Sequence, residues 1–169
     1  KWASILSPEI TGDTNFLATP NPILHDILTD SDIGAWHTFV DIGCGEGLAG
    51  AYVRFRMKKN IQLCDHQITF IWVLKVILFL QSSVTVSQEI LPVPNHSVVF
   101  LAWTSWSKNN QDITLNKVIK LMPRNAWLIS VSLPARHDRL KWIKTVSHRF
   151  AWGNSPVYYY KYVASTNHS

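Results

Sequence analysis

The residues best placed to do chemistry stand together in TFVDIGCGEGLAG, positions 38 to 50. A β-branched and aromatic run ends in an acid, Asp41, and is followed by Gly43, Cys44, Gly45 and Gly47. Glycines at alternate positions let the chain turn tightly and let a ligand approach the backbone without meeting a Cβ. A helix that follows such a turn adds free N–H groups and a positive dipole end. A dinucleotide-binding turn reads G-x-G-x-x-G, but the residue three after Gly45 is Leu48. The pattern here is D-x-G-x-G-x-G, and an acid two residues ahead of the first glycine suits a cationic ligand better than a pyrophosphate. Asp65, about 20 residues beyond the glycines, ends the second expected strand and is placed to take a pair of ribose hydroxyls.

The elements that must hold these groups follow from periodicity. TPNPILHDILTD starts a helix, with Ile23, Leu24, Ile27 and Leu28 on one face. WHTFVDIG reads as a short buried strand, and LAGAYVRFRMKKN as a helix whose end is favoured by Lys58 and Lys59. IQLCD is a second strand, followed by an apolar helix from about Gln67 to Gln81. VTVS and SVVFLAW are strands separated by the turn-prone LPVPNH. Asp112 can cap a helix over ITLNKVIKLM, which Pro123 stops, and AWLISVSLP is a fifth strand. DRLKWIKTVSHRF reads as a further helix through Leu140, Ile143 and Val146, before RFAW and VYYYKYV pair as a hairpin around GNSP.

Strands alternating with helices predict an α/β fold of the Rossmann-like kind. The sheet is mostly parallel, about seven strands with a C-terminal antiparallel hairpin, and carries helices on both faces. Ligands in such sheets bind at the carboxyl ends of the strands, where the glycine turn lies. At 169 residues the chain is expected to be a single domain over 1–169. It opens on Lys1 rather than Met, so excision from a larger protein is expected.

Composition narrows the classes further. Two cysteines, Cys44 and Cys64, form neither a disulfide framework nor a zinc site, and no metal is expected. Free thiols and the lack of a secretory signal point to a cytoplasmic protein. ITFIWVLKVILFL, residues 68–80, holds Lys75 and is too short for a membrane span, which takes about 20 residues, but it offers a face to a protein partner. The net charge of +5 is uneven: residues 1–50 hold one base and seven acids, whereas from 101 onward ten Lys or Arg face two acids. A basic half of this kind suits an anionic partner such as nucleic acid.

The acid, the glycine spacing, Asp65 and the alternating topology together resemble motif I of the class I S-adenosylmethionine-dependent methyltransferases. The resemblance spans Pro22 to the terminal hairpin, but only motif I is specific. It implies S-adenosyl-L-methionine as cofactor, with Gly43, Cys44, Gly45 and Gly47 lining its amino-acid and ribose end. Asp41 would lie close to its ammonium group and Asp65 on its ribose. An acidic or amide group after the third strand reads the adenine in that family, and this chain offers Gln88 or Glu89. The ATP run at 18–20 is similar to the entrance segment of several such enzymes, the lysine-directed ones among them, which places Thr19 near the cofactor.

The end of the fourth strand bears on the methyl acceptor. Family members that methylate exocyclic amines or glutamine amides carry Asn or Asp, two prolines and an aromatic there, whereas this chain has Ala102-Trp103-Thr104-Ser105-Trp106. A Lys-Asp-Lys-Glu set of the ribose 2′-O type is also missing. These departures favour an acceptor that is already nucleophilic, so that alignment rather than a general base suffices. The guanine N7 of an RNA cap fits, and would make this an RNA-capping enzyme of mRNA processing. Trp103 and Thr104 would align the acceptor. Trp106, Tyr158 and Tyr160 would stack on bases, and Arg136, His137 and Lys141 would grip phosphates. A protein lysine methyltransferase is the alternative, since Trp and Tyr faces hold a methylammonium well. A small-molecule methyltransferase and a non-catalytic cofactor-binding subunit stay open.

Overall fold

The computed structural model describes residues 19–65, 83–104 and 106–163. Strand β1 (Thr38–Ile42) is buried at every position, as a central parallel strand must be. It pairs in parallel with β2 (Asn60–Cys64) on one side and β4 (Ser97–Leu101) on the other. Strand β3 (Val84–Ser87) extends the sheet beyond β2, and β5 (Trp127–Val131) extends it beyond β4. Strands β6 (Leu140–Phe150) and β7 (Gly153–Tyr162) close it as an antiparallel pair. The order is β3-β2-β1-β4-β5-β7-β6, so the last strand in sequence lies between the two before it. Strand order reverses between β1 and β4, and their carboxyl ends therefore form the crevice in which open α/β sheets bind ligands.

Helices cover both faces. Helix α1 (Asn21–Leu28) packs Leu24, Ile27 and Leu28 against Phe39, Phe100 and Ile129. On the same face, α2 (Leu48–Tyr52) runs directly into a π-helical turn (Val53–Met57) that ends at Lys58 in a left-handed conformation. Helix α2 reaches the sheet closely because Gly50 lacks a side chain: a Cβ there would stand 2.4 Å from Leu63 Cδ2. On the opposite face, α3 (Lys108–Leu121) buries Leu115, Val118 and Ile119 against Val99, Leu101 and Leu128.

Three sequence expectations are corrected. The segment read as a helix over DRLKWIKTVSHRF is strand β6 from Leu140 onward, and the hairpin turns at Ala151–Trp152 rather than within GNSP. Pairing along the whole of β7 supplies hydrogen bonds that the weak three-residue apolar spacing could not outweigh. Helix α3 also starts earlier than expected, capped by Ser107, whose side chain accepts from Asn110 N, instead of by Asp112. The helix expected over 67–81 lies outside the described residues. No helix among the described residues is long and apolar enough to cross a membrane.

Candidate functional site

Leaving β1, the chain turns at Gly43, Gly45 and Gly47, with φ of 79°, 52° and 72°, a left-handed region that disfavours residues bearing a Cβ. The turn satisfies its own donors. Gly43 N and Cys44 N both donate to Cys64 O, at 2.7 and 3.1 Å, and Gly47 N donates to Cys44 O at 2.7 Å. Gly45 N donates to Asp65 Oδ2 at 2.8 Å, which ties the end of β2 to the glycine turn. A phosphate-binding turn keeps its N–H groups for the anion. This one spends four of them internally, which leaves the neighbouring carboxylates as the charged groups that face the turn.

Those carboxylates are unusually placed. Asp41 is buried, and burial together with the nearby Asp65 carboxylate pushes its pKa up from 3.8 to about 7. A bound cation would hold Asp41 ionised and remove that penalty. Burial and the same two acids also raise both thiols, Cys64 to about 11 and Cys44 further, so neither is a thiolate at neutral pH. Beside Asp65, whose N–H donates to Ser87 O at 3.2 Å, the end of β3 presents Gln88 and Glu89 exposed. A turn in which Ser87 Oγ accepts from Glu89 N and donates to Glu89 O fixes that pair. Thr19 is buried, and its hydroxyl has no hydrogen-bond partner.

The structure thus brings Asp41, the glycines, Asp65, Gln88 and Glu89 together along the carboxyl ends of β1, β2 and β3. Trp106 joins them, its six-membered ring lying against Gly43 where a Cβ would come within 2.3 Å of Cζ2. Sequence reading assigned Trp106 to the acceptor, but its indole sits on the turn itself. Gly43→Ala adds a left-handed penalty to that clash and is expected to cost about 1–3 kcal/mol, read from urea denaturation.

Other expected residues fall elsewhere. Trp103 is 1% exposed in the core beside α3, and its indole N–H donates to Leu133 O at 3.0 Å, so it has no face to offer an acceptor. Thr104 is half-buried and hydrogen-bonds Ser132 Oγ at 3.0 Å. Ser132 Oγ reaches on to Ser155 Oγ at 3.4 Å, which accepts from Trp152 Nε1 at 3.0 Å. Sequence reading missed this run of hydroxyls. Ser132 has φ 72°, and nothing in a serine announces a left-handed backbone.

Arg136, His137 and Lys141 were expected at the carboxyl edge, but the chain from β5 to β6 crosses the sheet to its opposite end. Lys141 pairs in register with Lys161, itself opposite Trp127 at the start of β5, and so lies at the edge away from the glycine turn. His137 sits near that edge too, with Leu140 N donating to its carbonyl and Arg139 N to Nδ1. Arg136 is exposed on the way across, next to Ala135, whose N–H donates to the Tyr160 hydroxyl at 3.1 Å. Tyr160 is therefore buried, while Tyr158 stacks against it with ring centroids 6.5 Å apart and stays partly open.

Solved structures of similar fold include several named as methyltransferases. Among them, the Escherichia coli protein yhhF, provisionally named a methyltransferase, aligns over 88% of each chain with TM-score 0.67 and 15% identity. An RNA methyltransferase from Salinibacter ruber in complex with S-adenosyl-L-homocysteine aligns over 90% of this chain and 97% of its own, with TM-score 0.64 and 13% identity. The N-methyltransferase NodS from Bradyrhizobium japonicum covers 85% of this chain and 94% of its own, with TM-score 0.61 and 10% identity. At such identities the likeness is one of fold. No family model matches the sequence, and no curated protein matches it significantly.

Proposed function

We propose that this protein is an S-adenosylmethionine-dependent methyltransferase. The observation that carries the reading is the pairing of a glycine turn whose N–H groups are spent internally with the buried carboxylate of Asp41. A sulfonium cofactor with a free ammonium group has the charge such a site requires. Asp41 and the glycine turn would hold its amino-acid end, Asp65 its ribose, and Gln88 or Glu89 its adenine. The Thr19 hydroxyl, buried without a partner, would supply a further polar contact to it. Bound there, the cofactor supplies an electrophilic methyl group, and the protein's task is to orient the acceptor and exclude water.

RNA is the acceptor we favour, with the cap guanine N7 as the specific form, because N7 carries no proton to remove and the C-terminal half is basic. A protein lysine side chain is the second reading, favoured by Thr19-Pro20 before the turn. The test is transfer of labelled methyl from the cofactor to capped RNA, uncapped RNA, histones and bulk protein. Label released from capped RNA as 7-methylguanosine is the expected result, and label in histones would select the second reading. Gly45→Val, measured by calorimetry, is expected to lose cofactor binding; undiminished affinity would overturn the cofactor assignment.

A further inference from the structure

Among the described residues, the sheet face that carries α3 is covered only in part. Helix α3 covers β4 and β5, whereas the connection from β5 to β6, residues 132–139, forms no helix and is tied down through Leu133 O to Trp103 and through Ala135 N to Tyr160. Beyond that connection, the exposed side chains on this face come mainly from β6, with Tyr158 and Pro156 of β7 partly open and Asn154 exposed. Register fixes which side chains share it: Trp142 stands opposite Tyr160, Thr145 opposite Tyr158, Ser147 opposite Pro156 and Arg149 opposite Asn154. Trp142 stands at a bulge in β6, is 59% exposed, and its N–H is held by Thr145 Oγ1 at 3.0 Å. Tyr158 adds a second, partly open ring.

Charge decides what this surface suits. Strands β6 and β7 contain no Asp or Glu. Lys144 is on the other face, neutralised by Asp30 and Asp32 at 2.6 and 2.7 Å, and Lys161 lies over Trp127. Arg149 and Arg136 remain exposed around the aromatic strip. Aromatic faces interleaved with hydroxyls and arginines bind single-stranded nucleic acid, by stacking on bases and neutralising phosphates. An acidic protein would find the arginines but no use for two open rings in line.

We propose that this face, from Arg149 near the carboxyl edge down to Trp142, docks a single-stranded stretch of the nucleic acid being methylated. The strip follows about 20 Å of strand and begins at the end of the sheet where the glycine turn lies. The proposal rests on the methyltransferase reading with an RNA acceptor, and refines it by placing the docking surface on the edge of the sheet three strands beyond β4, running to the same end as the cofactor crevice.

Fluorescence anisotropy with a labelled 12-nucleotide single-stranded RNA of mixed sequence tests it. Trp142→Ala is expected to weaken binding about tenfold, with Trp142→Phe restoring most of it. Arg149→Gln is expected to weaken binding severalfold and to flatten its salt dependence. Both side chains are exposed, so the thermal midpoint and the cofactor affinity by calorimetry should match the unaltered protein. RNA affinity unchanged in both variants would overturn the proposal, as would competition by polyglutamate that Trp142→Ala does not affect. Loss of cofactor binding by the unaltered protein would instead overturn the methyltransferase reading, whatever the RNA result.

Discussion

Asp41→Asn is expected to make the free protein more stable above pH 7 and, in the same molecule, to abolish cofactor binding. The sign follows from the folded-state pKa, raised from 3.8 to about 7 by burial and by Asp65. Below about pH 4 the group is protonated whether the chain is folded or not, and folding bears no penalty. Between about pH 4 and 7 the unfolded chain gives up this proton while the folded protein keeps it, so stability falls progressively by roughly 4 kcal/mol and levels off above 7, where the folded protein holds a buried anion. Asparagine keeps the shape without the charge, so urea midpoints taken from pH 4 to 8 should lose that part of their slope. A slope unchanged in the variant would show that Asp41 is not the titrating group. Calorimetry with S-adenosylmethionine at pH 6 completes the test. The unaltered protein should release a proton on binding, as the cationic ligand ionises Asp41, and the variant should neither bind nor release one.

Trp103→Ala has the second large expected effect, and it falls on stability. The side chain is among the largest of those fully buried, and its N–H satisfies the Leu133 carbonyl in the connection after β5. Truncation leaves a cavity and an unpaired acceptor, a loss of about 3–5 kcal/mol that is enough to unfold a marginal domain. Trp103→Phe fills most of the space and is expected to cost about 1–2 kcal/mol, mainly through the missing hydrogen bond. Cofactor affinity of the folded Phe variant should be unchanged. Turnover lost at full stability would instead restore Trp103 to a role in aligning the acceptor.

The contrast between Asp41 and Trp103 shows what can be read from residue order alone. Asp41, Gly43 and Asp65 were legible because their constraint is local: a turn with positive φ demands glycine, and the acids flank it at fixed spacing. The parallel strands were equally legible as short continuous apolar runs. Trp103 was not, because whether an indole after β4 faces a crevice or a core depends on α3 and on the chain after β5. Strand β6 was misread for a similar reason. Leu140, Ile143 and Val146 fit a helical face, while the pairing that makes them a strand comes from β7, later in the sequence. Lys141 followed that error to the wrong end of the sheet. The hydroxyl run from Thr104 through Ser132 to Ser155 joins three separate segments, and no spacing within any one of them encodes it.

The position of β7 between β5 and β6 also governs the order in which the molecule can be completed during synthesis. The first five strands pair with neighbours already made, and their interior can consolidate while the chain is still growing. Strand β6 has no such neighbour, since among the described residues its only partner in the sheet is β7. Residues 140–150 must therefore wait, with Trp142 and Ile143 unprotected, until β7 has emerged and inserted against β5. Closure of the sheet is thus a late event that seats two strands at once, and a chain stopped before Gly153 would lose both of them.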